Sequence, residues 1–138
     1  MPQPILIDAG PLVAILSTQD DAHQLCVDTL KQLTPPLLTC WAVLTEVHWL
    51  LKRNKPAVRT LFTMIEGGLL QVVHLPVEAT PWLRRYLLKY HDIGAQLADV
   101  SLCYLAETRN VNTIFTLDRR DFSIYRLKGN QVLKIIPA

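Results

Sequence analysis

Asp8, Glu46, Asp99 and Asp118 stand at the end of, or inside, strongly apolar segments. Asp8 closes Pro4-Ile-Leu-Ile, Glu46 is the only charged residue between Leu37 and Leu51, Asp99 interrupts an apolar helical stripe, and Asp118 follows Thr113-Ile-Phe-Thr-Leu. Burying an ionised carboxylate without a partner costs several kcal/mol or more, so each must be paired, protonated or bound to a cation. Oxygen donors with no accompanying Cys or His suit a hard divalent cation such as Mg²⁺ or Mn²⁺. That chemistry is the activation of water and the neutralisation of phosphate charge.

Each carboxylate also has a structural reading. Asp8 is a good helix N-cap. Glu46 would have Ala42, Val43, Trp49 and Leu50 as helical neighbours, with Arg53 as its candidate ion-pair partner. Asp99 would face Ala95, Gln96, Leu102, Cys103 and Ala106, with no cation on that side, and Asp92 lies seven residues earlier on the same rim. Asp118 could be neutralised by Arg119 and Arg120, while Asp121 is expected to cap the turn that follows. Cys26, Cys40 and Cys103 are odd in number and far apart, and His23, His48, His74 and His91 lack metal-ligand spacing. Zinc and a disulfide framework are therefore disfavoured, and a reducing cytoplasm fits.

The elements that must position these groups alternate between extended and helical. Ile5–Asp8 reads as a buried strand, with Pro11 in the first turn of the helix after it. Gln19-Asp20-Asp21 opens a second helix that Pro35-Pro36 stops, Leu37–Thr39 is briefly extended, and Cys40–Lys52 is helical. A helix from Pro56 to Glu66 ends at Gly67-Gly68. Leu69–Leu75 reads as a strand buried on both faces. Thr80-Pro81 starts a helix to Tyr90, and another spans Ala95–Arg109. Thr113–Leu117 is a strand, Asp121–Tyr125 a loop or helical turn, and Val132–Ile136 a last strand. This alternation implies an α/β domain whose parallel sheet is covered on both sides. Functional groups collect beyond the carboxyl ends of such strands, where Asp8 and Asp118 fall.

The chain of 138 residues reads as a single domain, 1–138. Its hydrophobic fraction of 50% and mean hydropathy of +0.21 are high, yet no apolar run approaches the ~20 residues of a membrane span. The start, Met1-Pro2-Gln3-Pro4, lacks the basic region of a secretory leader. The apolar excess points to a surface covered by a partner. A net charge of +2 is too small to indicate a nucleic-acid binder by itself, although Lys52, Arg53, Lys55 and Arg59 cluster, as do Arg119, Arg120, Arg126 and Lys128.

Four segments in order carry a resemblance: Ile5-Leu-Ile-Asp8-Ala-Gly-Pro-Leu12, Leu44-Thr-Glu46-Val, Leu97-Ala-Asp99-Val-Ser-Leu102 and Thr116-Leu-Asp118-Arg-Arg-Asp121-Phe122. Together they resemble the PIN-domain nucleases, most closely the VapC-type ribonuclease toxins of toxin–antitoxin pairs. The resemblance implies a three-layer α/β/α PIN-like fold with a central parallel sheet, and an acidic pocket holding Mg²⁺ or Mn²⁺. It assigns Asp8 and Asp99 as main ligands, Glu46 to orienting water, and Asp118 to a second or weaker ion site. Asp121, Asp92, Ser101 and Thr116 are accessory candidates, and Arg53, Arg119 and Arg120 are candidates for contacting RNA. A cognate antitoxin and a homodimer are the implied partners. The alternative is a PIN fold that binds RNA or protein without cutting. Two departures stand out: relatives often carry an acid where this chain has Gln96, and Ala9-Gly10-Pro11 offers no hydroxyl after the first Asp.

Overall fold

The computed structural model describes residues 3–138; Met1 and Pro2, the start of the segment read as lacking a leader, lie outside the described residues. Its frame is a five-stranded sheet of β1 (Leu6–Ile7), β2 (Leu37–Thr39), β3 (Leu70–Val72), β4 (Thr113–Phe115) and β5 (Lys134–Ile136), in the order β3-β2-β1-β4-β5. Every pairing is parallel: Leu6 lies opposite Leu38 on one side and Ile114 on the other. β1 is the central strand, and both of its residues are fully buried. Helices cover the sheet in the three-layer α/β/α arrangement of a PIN-like fold.

β2 has the bounds of its apolar run, the other strands are shorter than theirs, and helices begin at once at the carboxyl ends of β1 and β2. α1 (Ala9–Leu16) follows β1 directly, with Asp8 in extended conformation at its N-cap. α3 (Trp41–Leu51) follows β2 in the same way from Cys40. β3 departs from expectation: it is an edge strand, so Leu70 is buried while Gln71 is exposed. An apolar run of β-branched residues looks alike in a central strand and in an edge strand backed by a helix.

Helix boundaries follow side-chain chemistry. α2 (His23–Lys31) begins later than Gln19-Asp20-Asp21 suggests, because Asp20 Oδ1 accepts the Ala22 N–H at 2.9 Å and holds the segment in a turn. In α4 (Lys55–Glu66) Asn54 caps the start by accepting the Ala57 N–H at 3.1 Å. After α4, Gly68 takes φ +86°, a left-handed backbone that glycine adopts without steric cost. α5 (Thr80–Lys89) is entered through a 3₁₀ turn, Val77–Ala79, and the Thr80 hydroxyl donates back to the Val77 carbonyl rather than capping. α6 (Leu97–Arg109) starts at the Gln96 N-cap and ends on left-handed Asn110. α7 (Arg119–Ile124) is capped by Asp118, whose Oδ1 accepts the Asp121 N–H at 3.0 Å. Asp121 therefore sits inside the first turn, correcting its expected capping role. The apolar faces meet in one contiguous core that includes Leu12, Val47, Leu102, Phe115, Phe122 and Tyr125.

Candidate active site

A cleft of about 380 Å³ opens at the carboxyl rim of the sheet, lined by Asp8, Glu46, Asp99, Asp118 and Asp121 together with Gly10, Gly94, Gln96 and Leu117. All four principal carboxylates named from the sequence share it, although they come from four separate parts of the chain. Asp8 arrives from the end of β1, Glu46 from the middle of α3, Asp99 from the first turn of α6, and Asp118 from the loop after β4. Gly10 contributes no side chain, and Leu117 forms the wall beside it.

Asp8 is the most confined, with 8% of its surface exposed. Burial raises its pKa from 3.8 to about 6; the Ala9 N–H and the Thr116 hydroxyl work against that, and Asp99 and Glu46 add to it by repulsion. Thr116, fully buried, donates its hydroxyl to Asp8 Oδ2 at 2.9 Å and accepts the Asp118 N–H at 3.0 Å. One side chain thus fixes two of the carboxylate-bearing segments. Asp99 is also raised by burial, opposed by the Gln96 N–H and the Tyr125 hydroxyl and reinforced by Asp118 and Glu46. Its Oδ2 accepts the Gln96 N–H at 3.1 Å and the Tyr125 O–H at 3.3 Å. The departure at Gln96 has a structural use, since the residue caps α6 while lining the cleft. Asp121 is raised too, by partial burial and by Asp118.

Arg120 partly offsets the charge of Asp121, but among the described residues no basic side chain forms a salt bridge with any carboxylate of the cleft. Among the described residues the only salt bridge is His91–Asp92 at 3.7 Å, on an exposed turn. Glu46 forms no ion pair with Arg53, and Arg119 donates instead to the Pro137 carbonyl at 2.7 Å. Arg53, Arg119 and Arg120 are exposed outside the cleft. Asp92 stands apart as well. It belongs to the 3₁₀ turn His91–Ile93, and α6 begins only at Leu97, so helical spacing from Asp99 does not apply to it. Ser101 is buried and does not line the cleft, being about 200° around α6 from Asp99. Tyr125 escaped the sequence reading. It is 26 residues from Asp99, and no local pattern links the two.

Among the described residues no three acidic, His or Cys groups already converge as a cage for an ion. The carboxylates instead stand around the cleft. The donors themselves fit Mg²⁺ or Mn²⁺: all are carboxylate oxygens, and a cation that keeps several waters does not require direct contact with every one. Asp8 and Asp99 are the more buried of these carboxylates, and Glu46, Asp118 and Asp121 line the same cleft.

No family model matches the chain. Ribonuclease VapC26 of Mycobacterium tuberculosis is 25% identical over 135 residues, covering 96% of this chain and 100% of the relative. The chain is thus similar over almost its whole length to a VapC-type ribonuclease. The crystal structure of M. tuberculosis VapC20, described as a sarcin-ricin loop cleaving toxin, superposes with a TM-score of 0.71. That match has 16% identity and covers 80% of this chain and 86% of the other, which supports the shared fold. The VapC-type resemblance therefore spans the strands and helices that bring Asp8, Glu46, Asp99 and Asp118 together.

Proposed function

We propose that this protein is an endoribonuclease dependent on Mg²⁺ or Mn²⁺, and the toxin of a type II toxin–antitoxin pair. The observation that carries this reading is the convergence of four carboxylates on one cleft at the carboxyl rim of a parallel sheet, without a cationic side chain to neutralise them. A bound divalent ion would supply an activated water and offset the charge that builds up on a scissile phosphate. Asp8 and Asp99 would hold the ion, each steadied by a hydroxyl donor. Glu46 accepts no side-chain hydrogen bond among the described residues and lines the cleft, where it would orient a water. Asp118 spends Oδ1 on the α7 cap and leaves its other oxygen for the cleft. Retention of all four groups favours cutting over binding alone.

The test is cleavage of a panel of RNA and DNA strands by the purified protein, with Mn²⁺, Mg²⁺ or excess chelator. The panel includes a sarcin–ricin loop oligonucleotide, because the structurally similar VapC20 is described as cutting that loop. We expect internal cuts in RNA only, and complete loss in chelator. Full activity in chelator, or no cut in any RNA, would sink the reading.

The surface supports a partner. Trp41, Trp49, Leu50 and Phe62 on α3 and α4 are all exposed. Large apolar side chains exposed on two neighbouring helices are what an association surface would present. No helix among the described residues is long and apolar enough to cross a membrane. We assign this surface to a homodimer and to a cognate antitoxin segment, in a cytoplasmic setting. Light scattering at micromolar concentration should then give a mass near twice 15.7 kDa; a clean monomer would remove the dimer.

A further inference from the structure

The segment after α7 is held in an unusual way. Its backbone groups are satisfied by side chains of α5 and α6, with little secondary structure to help. Tyr90 Oη accepts the Arg126 N–H at 2.9 Å, and the Tyr86 hydroxyl donates to the Arg126 carbonyl. Glu107 Oε1 accepts the Lys128 N–H at 2.7 Å, while its Oε2 accepts the Trp82 indole N–H at 2.7 Å. Trp82 stacks on Tyr86 with ring centroids 3.9 Å apart, and Tyr90 meets Tyr125 edge-on at 5.0 Å. The Arg126 guanidinium folds back to donate to the Ser123 and Ile124 carbonyls at the end of α7.

Both main-chain groups of Arg126 are therefore gripped by tyrosines, one in α5 and one at its C-cap, and the residue before it is fixed with them. That residue is Tyr125, 1% exposed, whose phenol reaches Asp99 Oδ2. Phe122 packs edge-on against the same ring at 5.2 Å, so the ring has no freedom to leave. A phenylalanine would fill this space equally well. The hydroxyl is the part that packing does not explain, and its hydrogen-bond partner is a cleft carboxylate.

We propose that Tyr125 is a positioning residue for Asp99, and that Tyr90 and Tyr86 act through it by clamping Arg126. The proposal rests on the metal-dependent reading above. With Oδ2 held by Tyr125 and by the Gln96 N–H, the Asp99 carboxylate is fixed in one orientation, and its other oxygen faces the cleft. Partners that orient a metal ligand from behind typically contribute 10- to 100-fold to metal affinity or activity.

The test is calorimetric titration of metal-free protein with Mn²⁺, on wild type, Tyr125→Phe, Tyr90→Phe and the double variant, with far-ultraviolet circular dichroism reporting the fold. Tyr125→Phe should bind Mn²⁺ about tenfold more weakly with an unchanged far-ultraviolet spectrum. Tyr90→Phe should weaken binding less, and should add nothing once Tyr125 is Phe, since groups acting through one another are not additive. RNA cleavage should fall in parallel. Wild-type Mn²⁺ affinity in Tyr125→Phe would overturn the positioning role and leave the nuclease reading intact. Additive losses in the double variant would overturn the clamp. A wild type that neither binds Mn²⁺ nor cuts RNA would overturn both readings together.

Discussion

Asp8→Asn is expected to abolish RNA cleavage and, in metal-free protein, to raise the melting temperature. The two effects have one origin. Asp8 titrates near 3.8 in an unfolded chain and near 6 in the fold, chiefly because burial penalises its charge. Between those values the folded state holds a proton that the unfolded state has lost, so stability falls as pH rises through the window. Above pH 7 the penalty is complete and amounts to about 3 kcal/mol. Asparagine removes it while still offering Oδ1 to the Thr116 hydroxyl. The gain in melting temperature should be on the order of 10 °C at pH 7.5 and should vanish near pH 4. Added Mn²⁺ should stabilise the wild type by binding the native state, and the variant far less. Melting curves across pH, with and without Mn²⁺, measure all of this. A variant that melts lower than wild type at pH 7.5 would show Asp8 to be a structural cap, and cleavage at the wild-type rate would remove it from the site.

This arrangement was largely legible from residue type. A carboxylate in an apolar context is conspicuous because its burial is costly, and each of Asp8, Glu46, Asp99 and Asp118 was conspicuous on that ground. The alternation of strand and helix signals then placed Asp8 and Asp118 at one rim. What stayed illegible depends on partners that only the fold assembles. Tyr125 looks like an ordinary aromatic residue until α6 and the loop after α7 meet. Asp92 looked eligible because a seven-residue spacing was read along a helix that had not yet begun. The edge position of β3 was hidden for a related reason: periodicity reports which faces of a strand are buried, and an edge differs in whether a neighbour continues the sheet. Asp118 took the capping role expected of Asp121 because either can cap a helix, and an offset of three residues in its start decides between them.

Thr116 was named from the sequence only as a polar support, yet it has the second largest expected effect. Thr116→Val keeps the volume and β-branching of a fully buried strand-end residue and removes its hydroxyl. That hydroxyl donates to Asp8 and accepts from the Asp118 backbone, so the variant leaves a carboxylate without its donor and an N–H without its acceptor. Hydrogen bonds to charged groups contribute ~1.5–3 kcal/mol, and an unsatisfied partly buried N–H costs ~1–3 kcal/mol. Thr116→Val should therefore lose about 3 kcal/mol at pH 7 by denaturant titration. Cleavage should fall by roughly one to two orders of magnitude, because Asp8 and the loop bearing Asp118 lose their common anchor. The loss should depend on pH, since the missing donor favoured ionised Asp8 and its absence drives that group further above 6. In an Asp8→Asn background the cost of Thr116→Val should shrink, because the hydrogen bond then joins two neutral groups. Equal costs in both backgrounds would mean that Thr116 serves the loop alone, and that Asp8 is held ready for its cation by the turn that starts α1.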